Sequence, residues 1–152
     1  MTLRAGRGGR GPAPRREMMA FTIPVRVYFE DTDAGGVVYH ANYLKFLERA
    51  RTDWLRAHGI SQSQLKAGRG LLFAIVECNV RFRAPARLDD ELAVSCVLDA
   101  RRSASFAFSQ EIRRAADGEL LADARVRAAC LDAETFRPVP LPDDLIPETT
   151  RR

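Results

Sequence analysis

One stretch of the sequence concentrates the groups able to do chemistry. From Val25 to Tyr43 it reads VRVYFEDTDAGGVVYHANY, with carboxylates at Asp31 and Asp33, glycines at Gly35 and Gly36, and one of the chain's two histidines at His40. The stretch lies between a strand-like run and a helix-like run. A helix N-terminus presents unpaired N–H groups and partial positive charge, so the backbone across Val38, Tyr39, His40, Ala41 and Asn42 can polarise a carbonyl and stabilise the oxyanion formed when that carbonyl is attacked. Gly35 and Gly36 let the backbone come close and adopt positive φ. Asp33 can attack directly or activate water, and His40 can position or deprotonate the nucleophile.

Each piece also has a plainer reading. Asp31 and Asp33 are ordinary turn formers, Gly-Gly is an ordinary loop, and Asp-x-Asp occurs in calcium loops. The calcium reading fails because no bidentate Glu or third acid follows at the required offset. By composition alone, His40 as a satisfied, partly buried histidine stands level with His40 as a catalyst. The three cysteines, Cys78, Cys96 and Cys130, are odd in number and widely spaced, with no Cys-x-x-Cys and only His40 and His58 to complete a metal site. They predict neither zinc nor a disulfide framework, but small hydrophobes on the apolar sides of strands in a reducing compartment. No metal or organic cofactor is expected.

The elements that must position this loop follow from periodicity. Ile23, Val25, Val27 and Phe29 alternate with polar residues, the period of a half-buried strand. Beyond Asn42, read as the N-cap, Tyr43, Phe46, Leu47, Ala50, Trp54 and Ala57 recur at helical spacing, and His58-Gly59 is a stop signal. This is the one long helix predicted. Glu48 on it is a competing carboxylate, for which a salt bridge to Arg51 is the simpler reading. Further strands are predicted at 73–83, with Ala74, Val76, Cys78, Val80 and Phe82 on one face, and at 91–99, 103–113 and 119–131. Asp117-Gly118 marks a hairpin. Ala122, Ala124, Val126, Ala128 and Cys130 form a small-residue face, and Pro138, Pro140, Pro142 and Pro147 exclude any later central strand. Strand, loop, helix and four strands in a row favour an α+β fold, a curved five-stranded antiparallel sheet around a central helix. The sheet's free face or edge then calls for a partner, which predicts a dimer.

The chain has 152 residues, 46% of them hydrophobic, enough for one domain with a continuous core. Charged residues interrupt every stretch long enough to span a membrane, which takes about 20 apolar residues. The formal charge is +4, but five arginines before Glu17 (4, 7, 10, 15 and 16) and the terminal Arg151 and Arg152 supply seven positive charges, leaving −3 on the rest. Such a body has no electrostatic footprint for nucleic acid. Residues 1–20, rich in Arg, Gly and Pro, read as a disordered basic tail or, given Met18 and Met19, as a mis-assigned start. They are not a signal peptide. Residues 21–147 read as one domain and 148–152 as a flexible end, in a cytoplasmic protein.

The motif VRVYFEDTDAGGVVYHANY, with FLERAR from Phe46 to Arg51, FRAPARLDD from Phe82 to Asp90 and RPVPLP from Arg137 to Pro142, resembles the hotdog-fold acyl-CoA thioesterases, in particular the Tol-Pal-associated subgroup of the 4-hydroxybenzoyl-CoA thioesterase family. The resemblance covers roughly residues 22–147. It implies a hotdog fold, hydrolysis of an acyl-CoA to free acid and CoA, Asp33 as the catalytic carboxylate, His40 as the catalytic histidine, Asp31 as mainly structural, and a carbonyl-polarising amide near Tyr39, His40 and Ala41. It also implies a site at a subunit interface in a homodimer or homotetramer. Phe29 departs from the Tyr common in the subgroup. Arg81, Arg83, Arg87, Arg101 and Arg102 are candidates for CoA phosphates, none of them singled out. The alternatives are an aromatic acyl-CoA substrate, a non-catalytic hotdog module binding acyl carrier protein or an envelope-assembly partner, and a dehydratase, which the Asp-x-Asp-x-Gly-Gly loop fits less well.

Overall fold

A computed structural model describes residues 21–148. The expected basic tail at 1–20 and the last residues from 149 onward lie outside that range. Five strands, β1 (Phe21–Arg26), β2 (Leu71–Phe82), β3 (Glu91–Arg101), β4 (Ser105–Arg114) and β5 (Leu120–Asp132), form one antiparallel sheet in the order β1-β3-β4-β5-β2. Helix α1 (His40–Ala57) packs against β1, β3 and β4, and a short helix α2 (Gln62–Arg69) packs on β2. No helix among the described residues is long and apolar enough to cross a membrane.

The apolar stripe of α1 makes the core. Phe46, Leu47, Ala50 and Trp54 are buried against Val94, Cys96, Phe108 and Ile112 of the sheet. Each large side chain so buried contributes about 1.5–3 kcal/mol. Trp54 meets Phe108 edge-on at 4.9 Å and stacks on His58 at 3.8 Å, and His58 caps the helix end while Gly59 takes φ 79°. The small-residue face of β5 lines the same side, where Ala128 pairs with Phe106 and Val126 with Phe108 in register. After β5 the proline segment runs along the sheet, with Leu141 and Ile146 buried and Arg101 donating to the carbonyls of Ile146 and Pro142.

Several expectations are corrected. The first strand stops at Arg26, and Phe29 stands 81% exposed in a 3-10 turn, because Asp31 accepts from the Tyr28 N–H and reverses the chain there. Helix α1 starts at His40, not after Asn42, so Asn42 is a buried helical residue and Tyr39 the N-cap. Helix α2 was missed, although Ser61 before it and Gly70 after it, with φ 64°, are boundary signals. Glu48 accepts from the Thr52 hydroxyl, while Arg51 turns inward and donates to Gln110, so the expected Glu48–Arg51 bridge gives way to two other bonds. Cys96 and Cys130 are buried, but Cys78 is exposed, as are Val76 and Phe82. Their strand lies at the edge of the sheet, and a register shift between Ile75 and Glu77 breaks its alternation.

Candidate active site

The loop between β1 and α1 is a miniature hairpin. Thr32 bridges Val38, the Asp33 N–H donates to the Val37 carbonyl, and the Tyr39 N–H donates to the Asp31 carbonyl, both at 2.9 Å. The tip turns at Asp33–Gly36, closed by the Gly36 N–H on the Asp33 carbonyl at 3.0 Å, and Gly36 has φ 78°. That left-handed backbone is why glycine stands at the tip. Val37 bridges Arg87, and the Val38 N–H donates to the Ala86 carbonyl, which ties the hairpin to the 83–90 loop.

The two acids divide the work. Asp31 is spent on structure: one carboxylate oxygen accepts from Tyr28, and its carbonyl accepts from both Tyr39 and the Asn42 side chain, each bond 2.9 Å long. Asp33 sits exposed at the tip, with Oδ1 accepting from the Gly35 N–H at 2.8 Å. A Cβ at position 35 would stand 3.1 Å from that oxygen, so glycine there lets the carboxylate fold back over the turn. One residue beyond the Asp31–Tyr39 step the chain enters α1 at His40. Of the amides from Val38 to Asn42, those of Val38, Tyr39 and Asn42 are engaged by Ala86, Asp31 and Tyr39 carbonyls. The polarising set expected from sequence therefore narrows to His40 and Ala41, which in the first turn have no i−4 carbonyl. Asn42 is a clamp on the loop, with its side chain directed at Asp31.

His40 is exposed, and aromatic rings set its orientation: Tyr39 lies 4.7 Å away and Phe82 6.1 Å away, edge-on. Phe82 in turn packs edge-on against Tyr43 at 5.4 Å. The Tyr43 hydroxyl accepts from the buried Ala86 N–H at 2.9 Å, and burial holds its phenol above the ordinary value, protonated. Arg114 fastens the 83–90 loop from behind, donating to the Pro85 carbonyl, Asp90, Asp117 and Glu119. Those acceptors push its pKa up, Glu119 and Asp90 most, so it stays charged throughout. Tyr43, Phe82 and Arg114 as supports of the loop were not legible in advance; only the FRAPARLDD run marked the neighbourhood. Among the candidate arginines, Arg83 pairs with Asp123 and Arg101 holds the C-terminal segment, so both have structural employment.

A five-stranded antiparallel sheet closing on one long helix, with an acid-bearing turn running into that helix's N-terminus, defines a hotdog domain. The sequence profile of the thioesterase-like superfamily matches residues 27–147, and the chain belongs to that superfamily. It is 46% identical over 128 residues to the acyl-CoA thioester hydrolase YbgC of Escherichia coli O6:H1, covering 84% of this chain and 94% of that one. It is 41% identical to the acyl-CoA thioesterase YbgC of Haemophilus influenzae, covering 82% and 90%. Among solved structures, a 4-hydroxybenzoyl-CoA thioesterase mutant complexed with 4-hydroxybenzoyl-CoA superposes with TM-score 0.78 at 26% identity, covering 83% and 95%.

Proposed function

We propose that the chain is an acyl-CoA thioesterase, releasing free acid and CoA, and that Asp33 and His40 carry the chemistry within a single domain spanning 21–147. The observation that carries this reading is the placement of an exposed Asp33 carboxylate at the tip of a hairpin whose ladder runs directly into the amides of His40 and Ala41. A thioester carbonyl has little resonance stabilisation, so a positioned carboxylate and a helix N-terminus suffice without a cofactor. The thioester oxygen accepts from the first-turn amides. Asp33 then either attacks the carbonyl carbon, expelling the CoA thiolate and leaving an anhydride that water opens, or takes a proton from the attacking water. His40 orients the incoming nucleophile. Gly35 and Gly36 shape the turn; Val38, Tyr39 and Asn42 hold it.

The names of the YbgC relatives support acyl-CoA as the substrate class, and acyl carrier protein is the thioester carrier to test beside it. The site's exposure in a single chain supports a homodimer or homotetramer in which a second subunit covers it. We place the protein in the cytoplasm, where CoA thioesters are made. The test is thiol release over short, long and aromatic acyl-CoA substrates, for the parent and for Asp33→Asn, with folding and oligomeric state checked in both. Activity lost only in the variant supports the reading. A well-folded parent that releases no thiol overturns it in favour of a binding module.

A further inference from the structure

A histidine that handles a nucleophile is ordinarily aimed by a hydrogen bond: a carboxylate or carbonyl takes the proton of one ring nitrogen and so fixes the other. His40 has no such orienter. Neither ring nitrogen makes a hydrogen bond to another of the described residues, and as the first residue of α1 the side chain is exposed. Its contacts are aromatic. Tyr39 is its neighbour in the chain and moves with it, whereas Phe82, the last residue of β2, reaches it from another element, with ring centroids 6.1 Å apart and planes at 85°. Phe82 is itself held. Its second edge-on contact is Tyr43, at 5.4 Å and 74°. Tyr43 is 4% exposed, packs on Phe46 of the core, and is pinned at its hydroxyl by the Ala86 N–H. His40 and Tyr43 stand three residues apart, on one face of the helix, so a single ring from the sheet touches both an anchored residue and an unanchored one. Opposite Phe82 in register on β5 is Ala122, too small to compete for the space over the sheet.

We propose that Phe82 is a positioning residue, whose ring holds the His40 imidazole in the orientation it uses on the nucleophile and so stands in for the absent hydrogen bond. The line Phe46, Tyr43, Phe82, His40 carries the rigidity of the core out to an exposed side chain. An edge-on aromatic pair favours the contacting rotamer about 2- to 12-fold over a ring left to solvent. A catalytic group held in the wrong rotamer costs rate rather than affinity, because the ground-state complex does not use it. The competing reading is that Phe82, which is 52% exposed, walls the substrate directly. The two differ in which kinetic constant moves and in whether the effect needs His40.

This inference rests on the role proposed above for His40, and the test separates the two. It is a double-mutant cycle on thiol release from the acyl-CoA that the parent hydrolyses fastest, using Phe82→Leu, His40→Ala and the pair, with Phe82→Tyr as the conservative variant and sedimentation run on each. The expected result is a kcat about tenfold lower in Phe82→Leu, a KM within about twofold, recovery in Phe82→Tyr, and no further loss when Phe82→Leu is added to His40→Ala. An equal loss in the His40→Ala background, or a raised KM at unchanged kcat, overturns the proposal and makes Phe82 a wall of the substrate site. A full rate in Phe82→Leu with His40→Ala impaired overturns it as well. His40→Ala at the parent's rate overturns instead the role of His40, whatever Phe82→Leu does. A second readout needs no turnover and survives a change in association state. The chain has two histidines, so its proton NMR spectrum carries two imidazole Cε1–H lines, and the line absent from His40→Ala belongs to His40. Loss of the Phe82 ring should move that line and leave the His58 line, from a ring stacked on Trp54 at the other end of α1, in place. A His40 line that stays put in Phe82→Leu overturns the contact.

Discussion

Helix α1 bears polar groups at two places that behave in opposite ways. At its N-terminus, Asp33 and His40 are exposed, and apart from the one bond from the Gly35 N–H to the Asp33 carboxylate the loop around them is held by backbone bonds and by Asp31. Halfway along, Arg51 donates to Gln110, which is 1% exposed and donates in turn to the carbonyls of Leu47 and Ser95. Burial lowers the Arg51 pKa from its ordinary value, and Gln110 is the neutral acceptor that keeps the guanidinium partnered. No buried side-chain nitrogen or oxygen among the described residues lacks a partner. A polar group spent on holding helix to sheet has no valence left for a substrate, whereas a catalytic carboxylate must be held by few bonds and stay open.

The largest effect that sharpens this contrast is Asp33→Asn. Thiol release should fall by about 10²–10⁴-fold, with the thermal midpoint unchanged because the side chain is exposed; a melt that drops in parallel would make Asp33 structural instead. Gln110→Leu should do the reverse. It keeps the volume but strips partners from Arg51 and from two carbonyls, so urea unfolding should show a loss of about 3 kcal/mol, with kcat per folded molecule nearly preserved.

The two glycines of the turn divide the contrast more finely. Gly35→Ala sets a Cβ against the Asp33 carboxylate and should lower activity about tenfold with little change in melting. Gly36→Ala meets no neighbour but forces an L-residue to positive φ, so it should cost about 1–2 kcal/mol of stability and leave catalysis in the folded fraction alone. Equal effects of both on activity would break the distinction. Tyr43→Phe leaves the buried Ala86 N–H without its acceptor and should cost about 1 kcal/mol, with kcat/KM moving through Phe82 and His40 more than stability alone explains.

The smallest effect is on acid stability. Hydrogen bonds from Arg69 hold Asp144, and those from Arg83 hold Asp123, below the usual carboxylate range; backbone N–H groups of Thr135 and Glu134 do the same for Asp132. A folded pKa below the unfolded value of about 3.9 means the stabilisation is present above that pH and is lost as pH falls through the folded values. Melting midpoints should therefore decline below about pH 4, and Asp144→Asn should flatten that decline slightly, exposure and screening keeping the effect small.

The hotdog architecture was legible because its signals are local: strand alternation, the 3–4 spacing of Tyr43, Phe46, Leu47, Ala50 and Trp54, the Asp117-Gly118 turn and the proline-rich end. The acid-glycine-histidine loop was legible for the same reason. Helix α2 was missed because eight residues with one buried leucine carry almost no periodicity. Phe29 and Asn42 were misplaced because an apolar residue continues an alternation, and an Asn imitates a cap, whether or not the chain has already turned.

By itself, then, the sequence determined which residues share a face, where the chain turns, and that one carboxylate, one histidine and one helix start lie close along the chain. Tertiary structure decided what those residues are spent on. It assigned Asp31 to the Tyr28 and Tyr39 backbone, turned Arg51 inward to Gln110, left Cys78 and Phe82 at an open edge, and took the Val38, Tyr39 and Asn42 amides away from any substrate. The physical reason is that periodicity records only the alternation of apolar and polar neighbours along one chain. Whether a strand is central or at the edge depends on distant pairing, and some polar groups find their partners 40 or more residues away, the Val38 N–H and Tyr43 in Ala86, and Arg51 in Gln110.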